Sequence, residues 1–123
     1  MNSTETIDDA QATKRLADSL PQWTCVDQHL QRLFKTGGWK ATLMLVNTIG
    51  HVAEAAWHHP DLKVSYDSVE IQLTSHDAGG LTNKDFELAQ KIEALVTWQP
   101  GKDTQSSLAG VPDDPRYEYI KYD

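Results

Sequence analysis

Glu54-Ala-Ala-Trp-His58-His59-Pro60 is the stretch on which the reading of this chain turns. Upstream of it, Leu43, Val46, Ile49, Ala53, Ala56 and Trp57 recur at a spacing near 3.6, so Lys40–Trp57 reads as an amphipathic helix. Glu54 and His58 are then i and i+4, one above the other on a helix face. Pro60 cannot continue a helix and biases His59 toward extended angles. The two histidines therefore stand where a helix stops and an extended chain begins. Imidazole exchanges protons near neutral pH without large tuning, so a pair at such a junction suggests acid–base chemistry.

Beyond Pro60 the pattern alternates. Val64 and Tyr66 share one side, then Val69, Ile71 and Leu73 share a face, with Glu70, Gln72 and Thr74 opposite. The phase slips between Tyr66 and Val69, which predicts a bulge or a break between two strands around Asp67-Ser68. His76 stands where the strand runs out, and Asp77-Ala-Gly-Gly80 reads as a turn. Thr82 followed by Asp85 has the spacing of a capping box, and Phe86, Ala89, Ile92 and Val96 line a further helix that ends before Pro100. Toward the N-terminus a helix fits Asp8–Leu20. Short strands fit Trp23–Asp27 and Leu30–Lys35, ahead of the Gly37-Gly38 break.

Glu54-Ala-Ala-Trp-His58-His59-Pro60, then Tyr66, Val69, Leu73, Thr74-Ser-His76-Asp77-Ala-Gly79-Gly80-Leu81-Thr82, Asp85 and Leu88-Ala89, resemble the signature of the pterin-4a-carbinolamine dehydratases. The resemblance runs from about Gln31 to Ala94. It implies an α+β fold, a four-stranded antiparallel sheet with helices packed on one face. The mixture of helices and alternating strands read from the residues leads to the same two-layer class. The resemblance also implies a homodimer or homotetramer, and a sheet of few strands with an exposed edge invites such pairing.

The substrate class implied is a 4a-hydroxytetrahydropterin. Its dehydration needs a proton delivered to the departing hydroxyl and a proton removed from the ring nitrogen system. It needs neither redox change nor metal, so no cofactor is expected. By resemblance, His58 and His76 transfer protons, with Glu54 supporting His58, while His59, Asp85 and Tyr66 bind substrate. A metal reading of His51, Glu54 and His58 along one helix is geometrically allowed. It is set aside because the family pattern accounts for Glu54 and His58 without His51.

Composition bounds the rest. The chain has 123 residues and a net charge of −7, with no basic cluster, which argues against direct nucleic-acid binding. No apolar run reaches membrane-spanning length, and the opening Met1-Asn-Ser-Thr-Glu does not read as a signal peptide. The lone Cys25 suits a reducing, cytoplasmic setting. Residues 1–8 are polar and expected to be loose, ahead of a domain over 9–98. Residues 99–123 form an extension with Tyr117, Tyr119 and Tyr122, expected to pack on the domain or on a partner. Such an extension resembles the tails of dehydratase-like proteins of bacterial carbon fixation. That sets a second expectation beside the enzyme: a non-catalytic assembly factor or chaperone with Rubisco or another protein as partner.

Overall fold

The computed structural model describes residues 5–122. Of the segment expected to be loose, residues 1–4 lie outside those described. Ile7 and Asp8 are well anchored: the Ile7 side chain is buried and its N–H donates to the Leu81 carbonyl at 2.8 Å. Asp8 caps the first helix, α1 (Asp9–Ser19), in a reciprocal capping box with Gln11. Looseness therefore does not extend to these two residues.

Strands β1 (Thr24–Val26) and β2 (His29–Thr36) form a hairpin whose two turn residues, Asp27 and Gln28, both have positive φ, as a tight two-residue turn of this hand requires. Helix α2 (Trp39–Ala56) follows, then β3 (Asp61–Ser65), β4 (Ser68–Leu73) and α3 (Asn83–Val96). The phase slip seen in the sequence is a strand break. Ser65 pairs with Ser68 across a hairpin whose turn is Tyr66-Asp67, so Tyr66 belongs to the turn and not to a strand.

The sheet is antiparallel in the order β1-β2-β4-β3, the expected four strands. A fifth, two-residue strand, β5 (Ile120–Lys121), adds to β2 at Lys35 and Thr36. Alternate residues of β2 and β4 (Leu30, Phe34, Val69, Ile71 and Leu73) turn to one face. Ala12 and Leu16 of α1, Leu45 and Ile49 of α2, and Phe86, Ala89 and Ile92 of α3 close over them as one core. Each large side chain buried there contributes about 1.5–3 kcal/mol of transfer free energy. Arg32 also turns inward, where Glu93 takes its guanidinium at 2.9 Å and accepts Trp23 Nε1–H at 2.7 Å.

The C-terminal extension returns to this core. Ile120 is buried, and Gly37 donates its N–H to the Tyr119 carbonyl at 3.0 Å. A Cβ on Gly37 would stand 2.8 Å from the Glu118 carbonyl oxygen, so the close approach of the two backbones requires glycine there. No described helix is long and apolar enough to cross a membrane.

Candidate functional site

The C-terminus of α2 decides which carboxylate each histidine meets. The helix ends in a Schellman arrangement: His58 N–H bonds the Ala53 carbonyl and Trp57 N–H bonds that of Glu54, both at 3.1 Å. The left-handed position of this motif is filled by Trp57, with φ 53° and ψ 44°. That single residue rotates the chain off the helical path before His58. The i,i+4 pairing of Glu54 with His58 read from the sequence is therefore not made. Glu54 Oε1 instead meets His59 Nε2 at 2.8 Å, on the surface, with the exposed Trp57 ring edge-on to His59 at 5.2 Å.

His58 turns inward to α3. Its Nε2 lies 2.6 Å from Asp85 Oδ1. The capping box expected at the start of α3 is present, since Thr82 N–H donates to Asp85 Oδ2 at 3.0 Å while Thr82 Oγ1 accepts the Lys84 N–H. Ser75 Oγ–H donates to the same Oδ2 at 2.8 Å. Asp85 is fully buried, yet both its oxygens are satisfied, and no buried side-chain polar atom among the described residues lacks a partner. Two donors already fill Oδ2, Ser75 Oγ–H and Thr82 N–H, which suits a carboxylate that only accepts. Against such an acceptor His58 Nε2 is the donor, and His58 Nδ1 has no hydrogen-bond partner among the described residues.

The other sequence candidates fall at different places. His76 opens a 3-10 turn, His76–Ala78, and is exposed; its ring has no hydrogen-bond partner among the described residues. It directly follows Ser75, so it hangs on the framework that holds His58. Tyr66 is not part of the site. It is exposed and packs over Gly38, and its carbonyl accepts the Thr42 hydroxyl. Thr42 and the end of α2 are roughly 20 Å apart at 1.5 Å per helical residue. Tyr66 therefore stands at the wrong end of α2 to bind a ligand held by His58. Its place in the motif carries no distance.

His58 also lines a groove of about 670 Å³ between α2 and α3, floored by Val52, Leu88 and Leu95 and edged by His51, Lys84 and Lys91. His59 and His76 are not among its lining residues. His51, Glu54 and His58 do not gather, because Glu54 is taken by His59. Among the described residues no group of three His, Cys, Asp or Glu side chains is placed to hold a metal ion. Ser75 is the site residue that sequence reasoning passed over. It sits inside the quoted motif, but a lone serine carries no pattern of its own.

Comparison with known proteins places these features in a family. The family model described as pterin 4 alpha carbinolamine dehydratase matches residues 5–95. A protein of Aquifex aeolicus, provisionally named a pterin-4-alpha-carbinolamine dehydratase, is 46% identical over 83 residues, covering 68% of this chain and 84% of its own. The crystal structure of a transcriptional coactivator/pterin dehydratase from Brucella melitensis superposes with a TM-score of 0.67 at 24% identity. It covers 74% of this chain and 98% of that one, a likeness of fold. A pterin dehydratase-like protein described as a RuBisCO assembly factor of the alpha-carboxysome is more distant. It is 19% identical at a TM-score of 0.49, over 59% of this chain and 84% of that one, too far to carry an argument.

Proposed function

The chain belongs to the pterin 4 alpha carbinolamine dehydratase family, and from that premise we propose that it removes water from a 4a-hydroxytetrahydropterin to leave the quinonoid dihydropterin. The observation that carries the reading is the buried Asp85 against His58. Asp85 takes Nε2–H and thereby leaves Nδ1 as the base for the ring-nitrogen proton. His76, exposed and without a hydrogen-bond partner among the described residues, supplies the proton to the departing hydroxyl. His59, held by Glu54 at the surface, orients the ring. The pterin would lie against His58 and His59 at the end of α2, with His76 reaching it from the loop that follows Ser75. The outer edge of β3, unpaired among the described residues, would serve the expected homo-oligomer.

The test is the rate of 4a-carbinolamine dehydration by the purified protein. His58→Ala and His76→Ala should each lower turnover by about 10²-fold or more, the range of a lost acid–base group. His59→Ala should act mainly on KM. Unaltered rates in all three variants would reject these roles. A wild-type protein that does not accelerate the reaction would reject the enzyme and leave a binding role. In that case co-expression with Rubisco subunits, with and without residues 100–123, would test the assembly-factor expectation.

A further inference from the structure

Ser75 is only 1% exposed, and both its hydroxyl and its main chain are hydrogen-bonded. The hydroxyl contacts Asp85 Oδ2 and Thr82 Oγ1, each at 2.8 Å. Donor directions follow from the acceptor. A carboxylate oxygen only accepts, so the single Ser75 hydroxyl proton goes to Asp85. The Thr82 hydroxyl proton then goes to Ser75 Oγ, and the Thr82 oxygen is left to take the Lys84 N–H. Every proton in this chain has one assignment. With Oδ2 filled by Ser75 and by the Thr82 N–H, only Oδ1 is left to face His58.

The main chain of Ser75 does a second job. Its N–H donates to the Gly80 carbonyl at 3.1 Å, and its carbonyl accepts the N–H groups of Ala78 and Gly79 at 3.1 and 3.0 Å. These bonds close the loop whose first residue is His76.

We propose that Ser75 is a positioning residue for the dehydration: its hydroxyl sets the His58 ring through Asp85, while its backbone holds the loop that presents His76. The proposal rests on the function proposed above for its kinetic consequence, but not for its structural one. Removing the hydroxyl leaves Oδ2 with one donor and frees the Thr82 proton to compete for the carboxylate. Asp85 can then turn about its Cβ–Cγ bond, and His58 loses its fixed acceptor. A misplacement of about 1 Å between reacting groups can cost on the order of 10²-fold in rate.

The experiment is nitrogen NMR of protein labelled in its histidine rings, run beside dehydration kinetics. In the wild type the neutral His58 ring is a single Nε2–H tautomer with a slowly exchanging proton. Ser75→Ala should give mixed tautomers, lose that protected proton, and lower kcat about tenfold or more with KM changed by less than about twofold. Ser75→Thr, which restores a hydroxyl, should recover the tautomer and most of kcat. If Ser75→Ala does not fold, Ser75→Cys takes its place, because it fills the γ position with only a weak donor. A variant that unfolds earlier but keeps the wild-type His58 signals and kcat would overturn the proposal. If the wild type has no dehydratase activity, the NMR arm alone decides the positioning claim.

Discussion

His58 and His59 are chain neighbours, each bonded through Nε2 to a carboxylate, at 2.6 and 2.8 Å. Their surroundings are opposite. The His58 side chain is 15% exposed and Asp85 not at all, whereas His59 and Glu54 are 52% and 68% exposed. Distance therefore says little about what either pair contributes. In water the surface pair is screened and held against side-chain entropy, and such pairs contribute about 0–1 kcal/mol. The inner pair lies where a lost partner leaves a polar group that water cannot rescue. The site thus combines a rigid imidazole with an adjustable one, which suits one group that must be aimed and another that must accommodate a ligand.

The largest effect is expected from Asp85→Asn. The amide oxygen can still accept from Ser75 and Thr82, but its NH2 then faces His58 Nε2–H and forces that ring out of its tautomer, so stability should fall by about 3 kcal/mol and dehydration by about 10²-fold or more. Urea denaturation and the rate assay measure the two losses. Near-wild-type values in both would erase the distinction between the pairs.

Trp57→Gly addresses the turn that assigns the pairs. A left-handed non-glycine residue costs about 1–2 kcal/mol, and the added chain entropy of glycine returns part of that. The Trp57 side chain is 76% exposed, so little packing is lost. The urea midpoint should rise by an amount equivalent to roughly 1 kcal/mol or less, with the His58 signals unmoved and those of His59 shifted. Destabilisation would mean that the indole packs on something more than His59.

Glu54→Gln should change stability by no more than about 0.5 kcal/mol and act on KM more than on kcat. Added salt should mimic it by weakening the Glu54–His59 contact and leaving His58–Asp85 intact. A kcat loss as large as that of Asp85→Asn would show that the surface pair carries the chemistry.

Cys25 and Asp9 give a contact of intermediate burial, with Sγ donating to Oδ1 at 3.4 Å. Burial first, then the bond to Asp9, pushes the thiol from 9.0 up to about 11. The folded state prefers the neutral thiol. This contribution is therefore whole below the unfolded value near 9 and lost as pH rises toward about 11. Cys25→Ala should show a flatter fall in urea midpoint across that window. An identical slope would mean that the contact contributes nothing.

Much of this was legible in the order of residues. The α2 stripe, the alternation in β4 and the Thr82–Asp85 capping box all obey short-range rules; α2 and β4 formed within a residue or two of their expected ends, and α3 began where expected but stopped at Val96, short of Pro100. The phase slip at Tyr66 located the β3–β4 turn, although a bulge and a hairpin leave the same trace in sequence. Tyr66 was misplaced because motif position carries no direction in space. Glu54 was matched to the wrong histidine because helical spacing was carried one residue too far, through a tryptophan that adopts a conformation favoured by glycine.

The order of residues alone carried the elements, the two-layer class, the family pattern and the histidine pair at the end of α2. Periodicity, capping and chain stops are properties of neighbours a few residues apart. Tertiary packing brought Asp85 to His58 and Ser75 to Asp85, left Glu54 to His59, and closed the core with Ile120. Those contacts depend on where α3 and the chain terminus settle against α2 and the sheet. That placement comes from burying one shared apolar face, and no local stretch of residues contains it.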